Sequence, residues 1–249
     1  AFDIFSVGDT VSAKDGGNFA GNVAMAGTLG VTGNVGVGVT PSTLLHIKGA
    51  NPVYRIEDNN ETGSGNIVFR DSARETAKIS VASGASASMQ FQTLGTEAMR
   101  IDATGAVTMP LQPAFLAHPS STQSNIAVGS DITVLFATEI FDQNADFNTA
   151  NYTFTAPVTG RYQFNIVYYL ENIDTATGYY YIFFDTSNRN YFNIISPAFT
   201  ADTSYLSLTL SMLVDMDASD TALCKIRQSH GTSQTDISGN SFFSGYLVA

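Results

Sequence analysis

A glycine-led repeat of six residues near the start of the chain sets the strongest limit on how it can fold. Aligned on glycine it reads Gly21-Asn-Val-Ala-Met-Ala, Gly27-Thr-Leu-Gly-Val-Thr and Gly33-Asn-Val-Gly-Val-Gly. The third and fifth positions are apolar in every unit: Val23 and Met25, Leu29 and Val31, Val35 and Val37. Each unit therefore alternates between two faces as a minimal strand does, with glycine supplying the turn. Two inward side chains are far too little to form a core. Such units must stack in a solenoid or wind around copies from other chains. The competing reading is a flexible glycine-rich linker, and the strict alternation of apolar residues speaks against it.

Beyond the repeat the material changes twice. Residues 1–110 hold 15 of the 21 glycines and six of the 28 phenylalanines and tyrosines, whereas the remaining 139 residues hold six glycines and 22 of those aromatics. Prolines at 110 and 113 punctuate the junction. Three regions are expected: a glycine-rich hexad shaft over 1–40, a strand-rich neck over 41–110 and a head over 111–249. In the neck, short alternating runs predict strands at Leu44–Lys48, Val53–Asp58, Asn66–Arg70, Ala77–Val81, Ser88–Thr93, Glu97–Asp102 and Ala106–Met109, separated by turn-forming clusters. Tyr54-Arg-Ile-Glu57 and Met99-Arg-Ile-Asp102 each place an Arg and an acid on one face, where they are expected to pair.

Several function classes drop out on charge and composition. A net charge of −11 leaves no basic patch to displace counterions from phosphates, so neither nucleic acid nor an anionic membrane is an expected partner. No apolar run approaches the roughly 20 residues of a membrane helix, and no membrane insertion is expected. The first ten residues lack the basic start and apolar middle of a signal peptide. With no initiator Met, further sequence is expected upstream. The single cysteine, Cys224, cannot form an internal disulfide and reads as a small buried hydrophobe. The three histidines, at 46, 118 and 230, lack metal-ligand spacing.

Residues 113–249 read as all-β, with no helical period and dense runs of Tyr, Phe, Ile, Val and Thr that predict a sandwich or barrel. The run Ser204–Asp215 sets Leu206, Leu208, Leu210 and Met212 on one face, which is expected in a core. One spacing pattern crosses this half: Phe136, Asp142, Phe147, Phe154, Gly160, Tyr162 and Phe164. Tyr162 and Phe164 share a strand face, and Gly160 is expected to let the chain turn into that strand.

With that pattern the second half resembles the globular heads of complement component one-q and their relatives, which share a jelly roll with tumour necrosis factor. Pro113–Ala117 matches the family's opening strand and Phe243–Leu247 its closing one. Ile166 departs from the pattern, where an aromatic is usual, and so does Asp217-Ala-Ser-Asp220, which replaces a Gly-Asp turn. The resemblance implies a jelly-roll head, a tight parallel homotrimer and a base at which both ends of each head lie. The phrases Gly33-Asn-Val-Gly, Leu45-His-Ile47 and Met99-Arg-Ile-Asp102 resemble the shafts and necks of bacteriophage tail fibres, and secreted bacterial surface proteins use the same phrases. The fold expected for the whole is all-β: a trimeric β-helical shaft, a strand-rich neck and a jelly-roll head.

No catalytic constellation stands out. There is no Gly-x-Ser-x-Gly elbow, no His-Glu-x-x-His and no phosphate-cradling loop. The acids at 142 and 146, and at 215, 217 and 220, sit in turns, where Asp bonds its own backbone. Trimerisation triples the net charge of −11 along one axis, which makes a Ca or Mg ion at that axis a candidate and leaves no other cofactor expected. If the closing strand runs towards the base, the polar segment Ser229–Asn240 before it lies at the tip. A receptor would meet it there, with His230, Gln234, Asp236 and Asn240 as contacts and Arg189 as a further one. This loop is expected to be replaceable without loss of trimer or stability.

The sequence therefore points to a non-enzymatic, trimeric phage tail fibre whose distal end attaches to a host cell-surface glycan or protein receptor, held by upstream tail or baseplate proteins. The alternative is a secreted bacterial adhesin or matrix protein at the cell surface. A third reading, a polysaccharide-degrading tailspike, lacks the two facing carboxylates it needs.

Overall fold

The computed structural model describes residues 34–37, 40, 42–56, 63–82 and 87–249. The hexads from Gly21 to Gly33 lie outside the described residues, as do Glu57 and Asp58. The chain divides into two units, Ala1–Ile56 and Glu57–Ala249. In the first, β1 (Val35–Val37) pairs in parallel with β2 (Leu45–Ile47), Val35 opposite Leu45. The strand expected from Val53 does not form over 53–56. Pro52 lacks an N–H to pair, and no neighbouring strand among the described residues offers a ladder to join.

The second unit opens with a five-stranded antiparallel meander: β3 (Ser64–Arg70), β4 (Glu75–Ala82), β5 (Ser88–Thr93), β6 (Thr96–Ile101) and β7 (Val107–Thr108). Its register sorts side chains by polarity. Ile67, Ile79, Phe91 and Met99 form one cross-strand row, and Val81, Met89, Ile101 and Val107 form the next. The opposite face carries Asn66, Ser80, Gln90 and Arg100 in one row and Lys78, Gln92 and Glu97 in another. A sheet with one apolar face must bury it against something. Yet among the described residues of this sheet the only buried ones are serines, Ser80 and Ser88, while Phe69 stays 53% exposed and Val81 47%.

The expected Arg100–Asp102 pair is not made. A register shift between Phe91 and Gln92 brings Glu97 to the Arg100 face, and Arg100 donates to it from Nε at 2.9 Å. Asp102 instead closes the next turn, its Oδ1 accepting the backbone N–H of Thr104 at 2.8 Å and of Ala106 at 2.9 Å. A short acid beside a turn bonds its own backbone more readily than a long Arg two residues away.

The head has twelve strands: β8 (Ala114–His118), β9 (Ile132–Thr133), β10 (Thr138–Asp142), β11 (Phe147–Asn148), β12 (Thr153–Thr155), β13 (Gly160–Ile173), β14 (Tyr180–Thr186), β15 (Asn190–Ile195), β16 (Thr203–Met216), β17 (Thr221–Gln228), β18 (Asp236–Ile237) and β19 (Phe242–Leu247). They form two facing sheets in jelly-roll order. One runs β10-β8-β19-β13-β16, with β18 on β13, and the other β11-β12-β17-β14-β15, with β9 on β17. The described residues contain no helix.

Between the sheets lies an aromatic core. Phe115 stacks on Phe147 at 4.8 Å, and Phe164 crosses to Phe184 of the other sheet at 4.7 Å. Burying one such ring contributes about 1.5–3 kcal/mol. Two glycines make room for it. A Cβ on Gly245 would lie 2.5 Å from the Phe164 ring, and one on Gly160 would lie 2.7 Å from both the Ala249 carbonyl and a Leu247 methyl. Gly160 is thus required by close packing against the C-terminus rather than by a turn, because its φ is not positive. Of the expected core face on β16, Leu208 is buried at 2% exposure, while Leu206, Leu210 and Met212 are half-buried against the core. β16 is the edge of its sheet, so cover reaches it from one side only.

Candidate functional site

Strand direction gives the head two ends. β8 starts and β19 finishes at one end, where Leu247 N–H donates to the Pro113 carbonyl at 3.1 Å and Arg161 N–H to that of Ala249 at 2.7 Å. This is the base. At the opposite end β13 gives way to residues 174–179, β17 to 229–235 and the chain returns through β18 into β19. The polar segment before the closing strand lies there.

The segment is not a loose loop. Gln228, fully buried, donates from Nε2 to the carbonyls of His230 at 3.0 Å and Ser233 at 2.8 Å, and its Oε1 accepts the Thr235 N–H at 3.0 Å. Asp174 works from the other side. Its Oδ2 accepts the N–H of Thr232 at 2.7 Å and of Ser233 at 2.8 Å, and its Oδ1 that of Ala176 at 2.7 Å. These N–H donors, Ser233 foremost, hold the Asp174 carboxyl below the usual carboxylate range. The approach leaves no space for a side chain on Gly231, whose φ is +108°. Tyr180 and Thr235 share a buried hydroxyl bond of 2.6 Å, and Ile237 is buried in the core. The expectation that Ser229–Asn240 can be exchanged for a short turn therefore fails, since the segment supplies core, β18 and the buried Thr235, Ser238 and Ser241 beside it.

The sequence-derived contacts divide. His230, Gln234 and Asn240 are exposed at the far end. Asp236 is half-buried, its carboxylate accepting the Asn125 N–H at 2.6 Å and the Asn172 Nδ2–H at 2.8 Å. Arg189 does not join them. It sits in the β14–β15 turn at the base, and β14, seven residues long, separates the two ends by roughly 20 Å. There its guanidinium lies 6.0 Å over the Tyr191 ring. The antiparallel register Tyr180↔Gln228 and Thr186↔Ala222 dictates this separation, which position along the sequence does not reveal.

A polar cleft of about 530 Å³ opens at the far end, walled by Asn125, Asn172, Asp174, Asp202, Thr232 and Ser233. Asp202 accepts from the Thr175 N–H at 2.9 Å and hydroxyl at 3.0 Å. The cleft residues other than the 229–240 segment were invisible to a reading of one loop at a time, because four separate loops build it. Their shared signal was Asn and Asp at strand exits, and Asn125 and Asn172 do adopt positive φ. With its carboxylates already bonded to backbone and hydroxyl donors, the cleft can offer hydrogen bonds to a polar ligand. Among the described residues, no group of three or more His, Cys, Asp or Glu side chains is placed to hold a metal ion.

The pattern residues serve packing. Phe136, Phe147, Phe154, Tyr162 and Phe164 are buried, and the Tyr162 hydroxyl donates to the Val158 carbonyl at 2.7 Å. Asp142 accepts the Phe147 N–H at 2.8 Å and so fixes the turn between β10 and β11. Cys224 is buried in the core, where loss of hydration pushes its thiol well above the ordinary range. Asp220 bonds the Asp217 N–H and the Ser187 hydroxyl at the base, a turn acid as expected. No helix among the described residues is long and apolar enough to cross a membrane.

Two solved structures are similar to part of this chain. The globular domain of zebrafish complement 1qA protein is 17% identical, with a TM-score of 0.43 over 55% of this chain and 98% of that one. A crystal structure of murine APRIL at pH 8.0 is 13% identical, with a TM-score of 0.41 over 55% of this chain and 99% of that one. No curated protein is similar enough in sequence to match. The C1q domain family matches residues 114–248, just over half of the sequence, from the first strand of the sandwich to the last. The chain therefore belongs to the C1q domain family, whose jelly-roll heads are binding modules that assemble as trimers.

Proposed function

We propose that this protein is the attachment part of a homotrimeric fibre, with the hexad shaft and neck as structural elements and the jelly-roll head as the part that binds a host cell-surface receptor. The bare apolar face of the neck sheet carries the reading. Ile67, Phe69, Val81 and Met89 are all at least 40% exposed on a sheet with no second layer among the described residues. Exposed rows of this size mark an interface. Copies of the same sheet are the simplest cover, because a head family that assembles in threes already holds three necks together. The hexads ask for the same partners.

The phage tail is the home that the shaft and neck phrases favour, which puts the protein in the virion at the distal end of a tail fibre, with upstream tail or baseplate proteins as its anchors. The far-end cleft, with exposed His230, Gln234 and Asn240 beside it, is the receptor-facing surface on this reading. Three such sites on one axis convert weak single contacts into firm attachment. Native mass measurement of the full chain tests the assembly, and three copies are expected. A well-folded single-copy species at working dilution would overturn the reading. Binding of the labelled chain to candidate bacterial cells tests the attachment role.

A further inference from the structure

One strand of the head is aromatic on both of its faces. In β14, Tyr180, Ile182 and Phe184 are buried in the core, while Tyr181 and Phe183, with Tyr179 just before them, lie on the opposite face of the sheet. There the rings form an ordered strip. Tyr181 stacks on Phe183 at 4.9 Å and 18°, meets Phe192 of β15 at 5.3 Å and takes Tyr179 edge-on at 5.6 Å. Phe192 is 56% exposed. The strip needs no part of itself for the core, since the buried rings of β14 already supply it.

Polar groups border the rings. Across the sheet Tyr181 is opposite Arg227, whose Nε donates to Asp131 Oδ1 at 2.6 Å, and whose guanidinium lies 6.0 Å over the Phe183 ring. Opposite Phe183, Lys225 is paired with Asp185 at 2.6 Å. Asp131, Asn190 and Arg227 join the rings in walling an open cleft of about 390 Å³.

We infer that this strip is a binding platform for a neutral saccharide. A pyranose ring offers an apolar C–H face and a rim of hydroxyls. The first stacks on an aromatic ring, and the second needs donors and acceptors in the plane of the rim. A guanidinium and a carboxylate tied by one bond between Nε and Oδ1 keep further N–H groups and the second oxygen for that purpose. The bordering charges are matched, Arg227 by Asp131 and Lys225 by Asp185, so the platform selects for neither an anionic nor a cationic ligand. The rings stand on paired strands and contact one another, so little freedom is lost when a ligand lands. This assignment rests on the attachment reading for its biological role, and it moves the sugar contact from the far-end loops to the side of the head.

Saturation-transfer NMR on the full chain, with maltotriose, cellotriose and lactose as probes, tests it. Saturation is expected to pass to ring protons of at least one probe, and Phe192→Ala and Tyr181→Ala should each weaken that binding about tenfold or more. Gln234→Ala at the far end should leave it unchanged. Phe192 is exposed enough that its variant should keep the wild-type melt and mass, which guards against a folding artefact in Tyr181→Ala. No transfer from any probe, undiminished binding in Phe192→Ala, or equal loss in Gln234→Ala overturns the platform. A fall in native mass on Phe192→Ala overturns it as well, by showing that a second copy covers the strip. Cell attachment is read separately. Saccharide binding without attachment leaves the platform standing and removes the attachment role, whereas attachment that survives Phe192→Ala while saccharide binding is lost keeps the attachment role and separates it from the platform.

Discussion

The head and the neck solve one problem in opposite ways. Both are antiparallel sheets with an apolar face. The head folds a second sheet over the first, and 25 apolar side chains disappear into one core. Among its described residues the neck sheet has similar alternation and cross-strand rows and no second layer, and its best-covered side chains are two serines on the polar face. Alternation gives a strand a buried side but does not say which molecule will bury it. The head closes its core within one chain, and on the proposed reading the neck face is closed by other copies.

Four changes would break or sharpen this contrast. The largest effect is expected from Ile79→Asp in the neck. A carboxylate in a covered trimer face leaves a buried unpaired charge, at a cost of about 3–5 kcal/mol per chain. The heads still hold three copies, so native mass should stay at three while amide exchange across 64–108 rises about tenfold or more and the head keeps its near-ultraviolet tyrosine signal. Unchanged exchange in the neck would mean that this face is not covered by other copies. Next comes Phe164→Ala, which should cost about 3–5 kcal/mol and lower the melting temperature by roughly 10–20 °C. A loss confined to the neck would reverse the contrast. Gly160→Ala, which drives a methyl into Ala249 and Leu247, should cost about 1–3 kcal/mol, read as a smaller drop in the same melt.

The smallest effect is local. Asp174→Asn should leave the melt in place while amide exchange at Thr232 and Ser233 rises about tenfold. Acid should act in the same sense. Because folding lowers the Asp174 pKa, its contribution is complete above the unfolded value of about 3.9 and fades as pH falls through the folded value. Protection at those two amides, taken relative to intrinsic exchange at the same pH, should therefore fall below about pH 4. Protection that does not change with pH would remove Asp174 as the anchor of the far end.

Much of the architecture was legible because period-two alternation survives in long strands. The expected runs at Ala77–Val81, Ser88–Thr93 and Ser204–Asp215 correspond to β4, β5 and β16. What escaped was short or irregular. β11 and β18 have two residues each, too few for a period, and β10 carries a register shift between Glu139 and Phe141 that breaks its alternation. At the site, the polar composition of 229–240 indicated exposure, but Gln228 and Asp174 turn its polarity inward. The platform was half visible: Tyr179-Tyr-Tyr-Ile-Phe-Phe184 is apolar on both strand faces, and a strand in a two-layer fold can bury only one of them in its own core.

The order of residues by itself determined the class and the family. Alternation excludes helix in the second half, and the spacing from Phe136 to Phe164 marks a jelly roll. Only tertiary structure decided which groups meet. Strand register sends Arg189 to the base and His230 to the far end, folds Asp174 under the 229–235 backbone and lines Tyr181, Phe183 and Phe192 along one outer face. Periodicity is a property of neighbours in the chain and can be read locally, whereas a site is a property of neighbours in space and exists only once non-local pairing has chosen them.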